Sequence, residues 1–436
     1  MAASGETTGD RYDVVIFGAT GFTGKYVVRD LIQTRKQFSE FKDLTFAVAG
    51  RNKEKLCEAL NWAISSAKAT DVDAGKVPII TADVSDQESL LSMCKKSKVL
   101  VDCVGPYRFY GEPVIKACIE GGSSYVDISG ETYFLEKMQL DYHEQAEAKG
   151  VYIVGACGFD SIPGDMGTIF LQDNFEGELN SVETYLKTEQ GPAGYRVNYG
   201  TWLSAIHSLA NTGDLRGVRT KLYPKPLPKP KFRIEDRGKM HQNPDVPGYS
   251  LPFLGSDRPV ILRSQRFLYE HENRRPVQIQ CYFTLASLLN TIGIVLFGAI
   301  FMFMTKFSFT RKLLEDHPSF FSFGMFCRGG PTEEQIEGAK FTVTLIGKGW
   351  SEKTSEASDQ HADPPSKEMI VKVSGPDIGY VATSMCFIQS ALTIWMESAK
   401  MPSKGGVYSP GAAFAKTSLI DRLNKRGIKF SIVKKD

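Results

Sequence analysis

The chain has 436 residues, too many for one ordinary domain, and its 42% apolar content suffices for more than one core. Its 52 basic and 50 acidic residues nearly cancel, and no Lys/Arg run carries interleaved aromatics, so nucleic acid is not an expected partner. Eight cysteines without a CxxC pair, and without a ligand-like grouping with the six histidines, argue against a disulfide framework or a metal site and fit a reducing compartment.

The opening MAASGETTGD has neither the basic flank nor the apolar stretch of a secretory signal, so residues 1–11 read as a short tail. From Tyr12, apolar runs (YDVVIFG, LTFAVAGR, VPIITADV, KVLVDCVG, SYVDISG, VYIVGAC) alternate with amphipathic stretches of helical period (KYVVRDLIQTRKQ, KEKLCEALNWAISSAK, QESLLSMCKKS). That alternation predicts a doubly wound parallel sheet of the Rossmann type, an α/β domain over residues 12–165.

After GFDSIPGDMG the rhythm changes. Segments 181–191, 276–285, 341–350 and 369–375 have extended, β-rich patterning and are expected to form one antiparallel sheet, the base of an α+β domain over 166–400. The alternating prolines of YPKPLPKPKF (223–232) deny backbone donors and mark a surface crossing. The polar SEKTSEASDQHADPPSKE (351–368) reads as a mobile hairpin excursion, and FAKTSLIDRLNKRGIKFSIV as a helix followed by a strand.

Within the first unit, VVIFGATGFTGKYVV places Gly18, Gly21 and Gly24 between a strand and a helix. A side chain there would hold the backbone away from a pyrophosphate, whereas bare N–H groups and the positive end of the helix favour its charge. The GxxGxxG spacing differs by one residue from the GxGxxG fingerprint, and Gly18, Thr20, Gly21, Phe22, Thr23 and Gly24 are the expected contacts to a dinucleotide. Where an NAD enzyme carries an acidic residue at the end of the next strand, this chain has Gly50 and then Arg51, which suits the 2′-phosphate of NADP(H). Asp83 is placed either to meet the adenine amino group or to cap the following helix, and Cys103, Val104, Gly105 and Pro106 to lie along the nicotinamide. Tyr107 and Tyr110 are then expected to face the reaction space, with Tyr107 the candidate proton donor and cofactor stacking its alternative role.

GATGFTG, VAGR, CVGPYRFYGEPVIKAC, YVDISGE and GFDSIPGDMG together resemble the saccharopine dehydrogenase family, within it the animal oxidoreductases, from about residue 12 to the end. The resemblance implies a Rossmann domain, an inserted substrate domain and a C-terminal segment, 401–436, that returns to the first domain. It does not settle the substrate, because saccharopine reductases act on amino-acid adducts and mycobacterial trans-acting enoyl reductases on lipid intermediates. Arg263, Arg266, Arg274 and Arg275 are the nearest to a carboxylate clamp for saccharopine, and they read equally as a solvated face.

LASLLNTIGIVLFGAIFMFM (285–304) is 20 residues without a charge, long enough at about 1.5 Å per residue to cross a bilayer. If the strands before and after it share a sheet, a single crossing is excluded. What remains is a buried or dimer-interface helix, or one seated on a lipid surface with PSFFSFGMF (318–326) and a basic fringe of Arg274, Arg275, Lys306, Arg311 and Lys312. The reading adopted is an intracellular NADPH-dependent reductase of an apolar, lipid-derived carbonyl or enoyl substrate, held on the cytosolic face of a membrane or lipid droplet, with mitochondrial association as a second location. A saccharopine-like dehydrogenase and a non-catalytic NADP(H)-binding scaffold are its alternatives.

Overall fold

Five of the six residues of strand β1 (Tyr12–Phe17) are buried, so both faces of its sheet must be covered. The computed structural model describes residues 11–70, 72–210 and 215–435; the tail expected over 1–11 therefore lies outside it, apart from Arg11. With β2 (Phe46–Gly50), β3 (Ile79–Thr81), β4 (Ser97–Asp102), β5 (Ser124–Asp127), β6 (Tyr152–Val154) and β15 (Gly406–Tyr408), β1 forms a sheet ordered β15-β6-β5-β4-β1-β2-β3, parallel throughout. Alternation along β1 sends Val14 and Ile16 into one apolar layer with the helix Phe22–Gln37, and Val15 and Phe17 into the other with the helix Tyr107–Gly121. The order reverses between β1 and β4, which opens a crevice at their carboxyl ends.

The second sheet contains β7 (Glu178–Glu189), β9 (His241–Asn243), β10 (Val246–Pro252), β11 (Gln278–Leu285), β13 (Lys340–Trp350), β14 (Lys367–Pro376) and β16 (Lys429–Lys435), in the order β16-β14-β13-β7-β11-β10-β9. All four segments expected in one sheet are there. The sheet is mixed rather than antiparallel, because β7 and β11 run parallel with Tyr185 opposite Tyr282. The long intervening chain makes the crossover that a parallel pair requires. The helix Ile162–Asn174 covers this sheet, and one continuous core joins Val14 and Ile16 of the first sheet to Leu345 and Val371 of the second.

Three further expectations are corrected. The 351–368 connection is tied down: the His361 ring stacks on Trp350 at 3.8 Å, and its Nε2 lies 2.7 Å from a Glu178 oxygen. The return to the first domain begins before residue 401, with the helix Val381–Glu397 packed on β4 and on the helix Phe22–Gln37, where Gln389 Nε2 donates to Thr34 Oγ1 at 3.4 Å. The last residues then leave the first domain again, since β15 extends the first sheet but β16 pairs with β14.

The apolar segment forms the helix Leu288–Thr305, beside the short pair β8 (Val197–Asn198) and β12 (Phe326–Cys327). One face of this helix is used: Phe301 packs at 4.6 Å on Trp202 of the helix Tyr199–Ala210, and Trp202 Nε1 donates to Leu314 O at 2.9 Å. The rest is bare. Only Thr291, Phe301 and Thr305 are buried, whereas Leu289 is 80% exposed and Leu296, Ile300 and Phe303 are each 61% exposed. Phe309, Phe320 and Phe323 continue the apolar surface. The helix is therefore not buried in its own fold, although by length and composition it could cross a membrane. Its basic fringe is smaller than expected, because Arg274 pairs with Asp173 at 3.0 Å and Arg275 with Glu178 at 2.7 Å, both at the far end of β11.

Candidate functional site

The three loop glycines do different work. Gly18 has φ +80°, and a Cβ there would lie 2.7 Å from Val104 Cγ2. At Gly24 a Cβ would sit 2.2 Å from Gly18 O, so this residue exists for the close approach of helix to strand. Gly21 is exposed, and a Cβ there would meet only Gly18 O, at 3.3 Å, and Gly24 N, at 4.0 Å. The protein leaves that space open. Gly21 is the N-cap of the helix Phe22–Gln37, no side chain caps that end, and its first turn holds no acidic residue. The first-turn N–H groups of Phe22, Thr23 and Gly24 thus have no helical acceptor, and together with the neighbouring exposed Thr20 they fit a pyrophosphate.

At the ends of the next two strands, the Arg51 side chain is 76% exposed and its Nε stands 4.0 Å from Asp83 Oδ2, a loose surface pair that leaves the guanidinium free to take a phosphate. Asp83 does not cap the following helix. Asp86 does, accepting from Glu88 N at 3.1 Å and Ser89 N at 3.3 Å. The Asp83 carboxylate accepts from Ser85 N at 2.9 Å and Ser85 Oγ at 2.7 Å, and these bonds hold it below the usual carboxylate range.

Beyond β4, the Cys103 N–H donates to Phe17 O at 2.9 Å, which sets the 103–106 loop beside the glycine loop. Burial raises the Cys103 thiol, as expected for a packed side chain rather than a nucleophile. Tyr107 does not face the reaction space. It is buried, and its hydroxyl donates to Asp102 O at 2.8 Å, so the phenol shapes the loop from behind and is not free to hand its proton to a substrate. Phe109 and Tyr110 are the aromatic side chains of this turn that remain exposed.

Three carboxylates that support this edge went unnoticed in the sequence. Glu131 accepts from Tyr107 N at 2.8 Å and Arg108 N at 3.2 Å, filling the N-terminus of the helix Tyr107–Gly121 and leaving the glycine-loop helix as the open anion site of the pair. Asp102 accepts from Val104 N at 2.9 Å and Tyr125 OH at 3.2 Å. Asp127, pushed up to about 6 by burial, accepts from Ser129 N and Ala156 N, both at 2.9 Å. The signal was present in KVLVDCVG and YVDISGE, where Asp102 and Asp127 end strands before turns that need acceptors and Glu131 follows the second turn.

A parallel sheet whose strand order reverses beside an open glycine loop, with an arginine and no acidic residue following the second strand, defines a dinucleotide-dependent dehydrogenase with a preference for the phosphorylated cofactor. Known proteins agree: the saccharopine dehydrogenase NADP binding domain matches residues 14–154. The human saccharopine dehydrogenase-like oxidoreductase is 43% identical over 422 residues, covering 97% of each chain. A Caenorhabditis elegans protein named lipid droplet localized protein is 38% identical over 426 residues, covering 97% of this chain and 98% of that one. In fold, apo saccharopine dehydrogenase (L-Glu forming) from Saccharomyces cerevisiae aligns with a TM-score of 0.51 at 14% identity, over 97% of this chain and 100% of that chain. The chain belongs to the saccharopine dehydrogenase-like oxidoreductases, and its cofactor is NADP(H).

Proposed function

We propose that this oxidoreductase reduces an apolar, lipid-derived carbonyl or enoyl group while seated on a lipid surface, at the cytosolic face of a membrane or lipid droplet. The observation that carries the reading is the attachment of the exposed apolar helix to the cofactor end of the molecule. Its packing partner, the helix Tyr199–Ala210, meets the 103–110 turn: His207 lies edge-on to Phe109 at 5.2 Å, and Arg108 Nη1 donates to His207 O at 3.0 Å. On the other side, the chain following β12 presses Gly330 against the Phe22 ring. A surface that needs lipid is thereby built next to the place where a substrate is reduced. Because β11 and β13 belong to one sheet, the helix between them rests in one leaflet and does not cross.

Gly18, Thr20, Gly21, Phe22, Thr23 and Gly24 are assigned to the pyrophosphate, Arg51 to the 2′-phosphate, Asp83 to the adenine, and Cys103, Val104, Gly105 and Pro106 to the nicotinamide side. When bound, NADPH supplies the hydride. The chain's own contribution is to orient that cofactor and keep water away, with Tyr107 assigned to positioning the 103–106 loop in place of the proton-donor role expected from sequence.

The test is NADPH oxidation by purified protein bound to liposomes, across enoyl thioesters, long-chain ketones and aldehydes, and amino-acid adducts. Turnover of a long-chain carbonyl or enoyl compound, faster on liposomes than in detergent-free solution, is the expected result. Turnover of amino-acid adducts alone would return the protein to saccharopine-like chemistry. Tight cofactor binding with no turnover across the panel would make it a scaffold.

A further inference from the structure

With the Tyr107 hydroxyl committed to Asp102 O, the reduction still needs a proton donor. Tyr195 offers one. It belongs to the chain between β7 and β8, which is tied to the glycine-loop side of the crevice: Gln335 Nε2 donates to Ala193 O at 3.0 Å, Asn198 N donates to Tyr380 OH at 2.7 Å, and the Tyr380 ring meets Phe22 edge-on at 4.7 Å. Tyr195 itself is half-buried, and its hydroxyl is open to solvent with no hydrogen-bond partner among the described residues. Burial raises the phenol above its ordinary range, and the charges of Asp377, Tyr380 and Asp160 raise it further, so it faces Asp160 and stays protonated.

Asp160 stands on the other wall. Its Oδ2 would lie 3.4 Å from a Cβ on Gly130, and the next residue, Glu131, holds Tyr107 N and Arg108 N at the end of the 103–106 loop. The Asp160 side chain is exposed and accepts no hydrogen bond among the described residues, yet desolvation raises its carboxyl. A group that is open to solvent and still desolvated stands between walls that do not close over it. The nicotinamide side is thus on the first-domain wall and Tyr195 on the second-domain wall. Hydride and proton must reach a substrate from different sides, which favours Tyr195 over Tyr110, whose helix follows the 103–106 loop on the hydride's own side. We propose that Tyr195 is the catalytic proton donor, an inference that rests on the reductase reading above. As hydride reaches the carbonyl carbon, or the β-carbon of an enoyl group, the displaced π pair settles on the substrate oxygen, and Tyr195 Oη gives its proton to that oxygen. The phenolate left behind regains a proton from water once product has gone.

Hydroxyl-radical footprinting of the full chain, read by peptide mass spectrometry, tests the placement without any substrate. NADPH should protect Tyr195 severalfold, and adenosine 2′,5′-bisphosphate, which lacks the nicotinamide, should not. Equal oxidation with and without NADPH, or equal protection by both compounds, would overturn the proposal. Kinetics on the compound that the wild type reduces fastest test the role. Tyr195→Phe should lower kcat about a hundred- to ten-thousandfold with KM and NADPH affinity unchanged. Its melting temperature should not move, because the hydroxyl it loses has no partner. The same loss in Tyr110→Phe, with Tyr195→Phe still active, would move the donor to Tyr110. A wild type that reduces nothing removes the reductase reading and this proposal together, whereas an active wild type with an equally active Tyr195→Phe removes the proposal alone.

Discussion

Strand β1 and the helix Leu288–Thr305 are both nearly free of charge, and they end in opposite surroundings. Val14, Val15 and Ile16 are fully buried between two helix layers, whereas Leu289, Leu296 and Ile300 stand mostly in the open. Hydropathy alone treats the two alike. The difference is what the rest of the chain supplies: β1 receives a helix layer on each face, and the apolar helix receives one, from Trp202 and its neighbours. An apolar surface left uncovered at this scale is the mark of a partner outside the chain, protein or lipid.

The largest effect is expected from breaking that contrast on the helix itself. Leu296→Asp with Ile300→Asp should abolish recovery on liposomes while leaving the melting temperature unchanged, since each charge costs about 2.5–3.5 kcal/mol at depth. Phe301→Asp, on the face that packs against Trp202, should instead lower the melting temperature. If both variants melt early, the helix is a protein-covered one, and if both stay on liposomes the lipid seat is lost as an explanation.

The next effect sharpens the covered side. Asp165 joins three elements of the interior, accepting from Ser264 Oγ and Gly411 N, both at 2.7 Å, and burial pushes its carboxyl up to about 7. In the unfolded chain the same carboxyl titrates near about 3.9, so between these values the folded state holds a proton that the unfolded state releases. The associated stability is fully present below the unfolded value and is lost as pH rises through 7. Relative to wild type, Asp165→Asn should therefore gain about 2–4 kcal/mol between pH 4 and 8 in urea denaturation. A difference that stays flat with pH would mean that this junction is wet.

Reading the sequence succeeded where a physical pattern is local. Apolar runs at helix-length intervals revealed the first sheet, and Gly18, Gly21 and Gly24 revealed the loop, because backbone approach leaves its record in the missing side chains. It was blind where partners are distant in the chain. The parallel pairing of β7 with β11, the departure of β16 to the second sheet and the Glu131 carboxylate that accepts from Tyr107 N at the start of the helix Tyr107–Gly121 all depend on residues brought together by folding. Tyr107 shows the limit most clearly: its position after a strand end suggests chemistry, but side-chain direction turns its hydroxyl back to Asp102. The exposure of the apolar helix was only half legible, since composition shows the need for a cover and not which cover is supplied.

Within the loop, Gly21 and Gly24 offer a smaller and more local version of the same contrast between open and filled space. Gly21→Val should reduce NADPH affinity more than about a hundredfold with the fold intact, because its methyl groups would occupy the space left open for pyrophosphate. Gly24→Ala should lower the melting temperature, because its Cβ would collide with Gly18 O. Circular dichroism and calorimetric titration of both variants decide it. Normal NADPH binding by folded Gly21→Val would remove the phosphate cradle from the account.

Arg51 gives the smallest effect and the most specific one. Its guanidinium is exposed and only loosely paired with Asp83 at 4.0 Å, so it contributes little to the fold and is available to the cofactor. Arg51→Ala should leave the melting temperature of the cofactor-free protein unchanged. It should lower NADPH affinity by about ten- to a hundredfold, the loss of roughly 1.5–3 kcal/mol from one charge-assisted contact, while NADH affinity stays the same or rises slightly. The ratio of the two affinities is the decisive quantity, because a general disturbance of the loop would weaken both cofactors together. An unchanged ratio would assign the 2′-phosphate to some other residue and leave Arg51 as an ordinary surface charge.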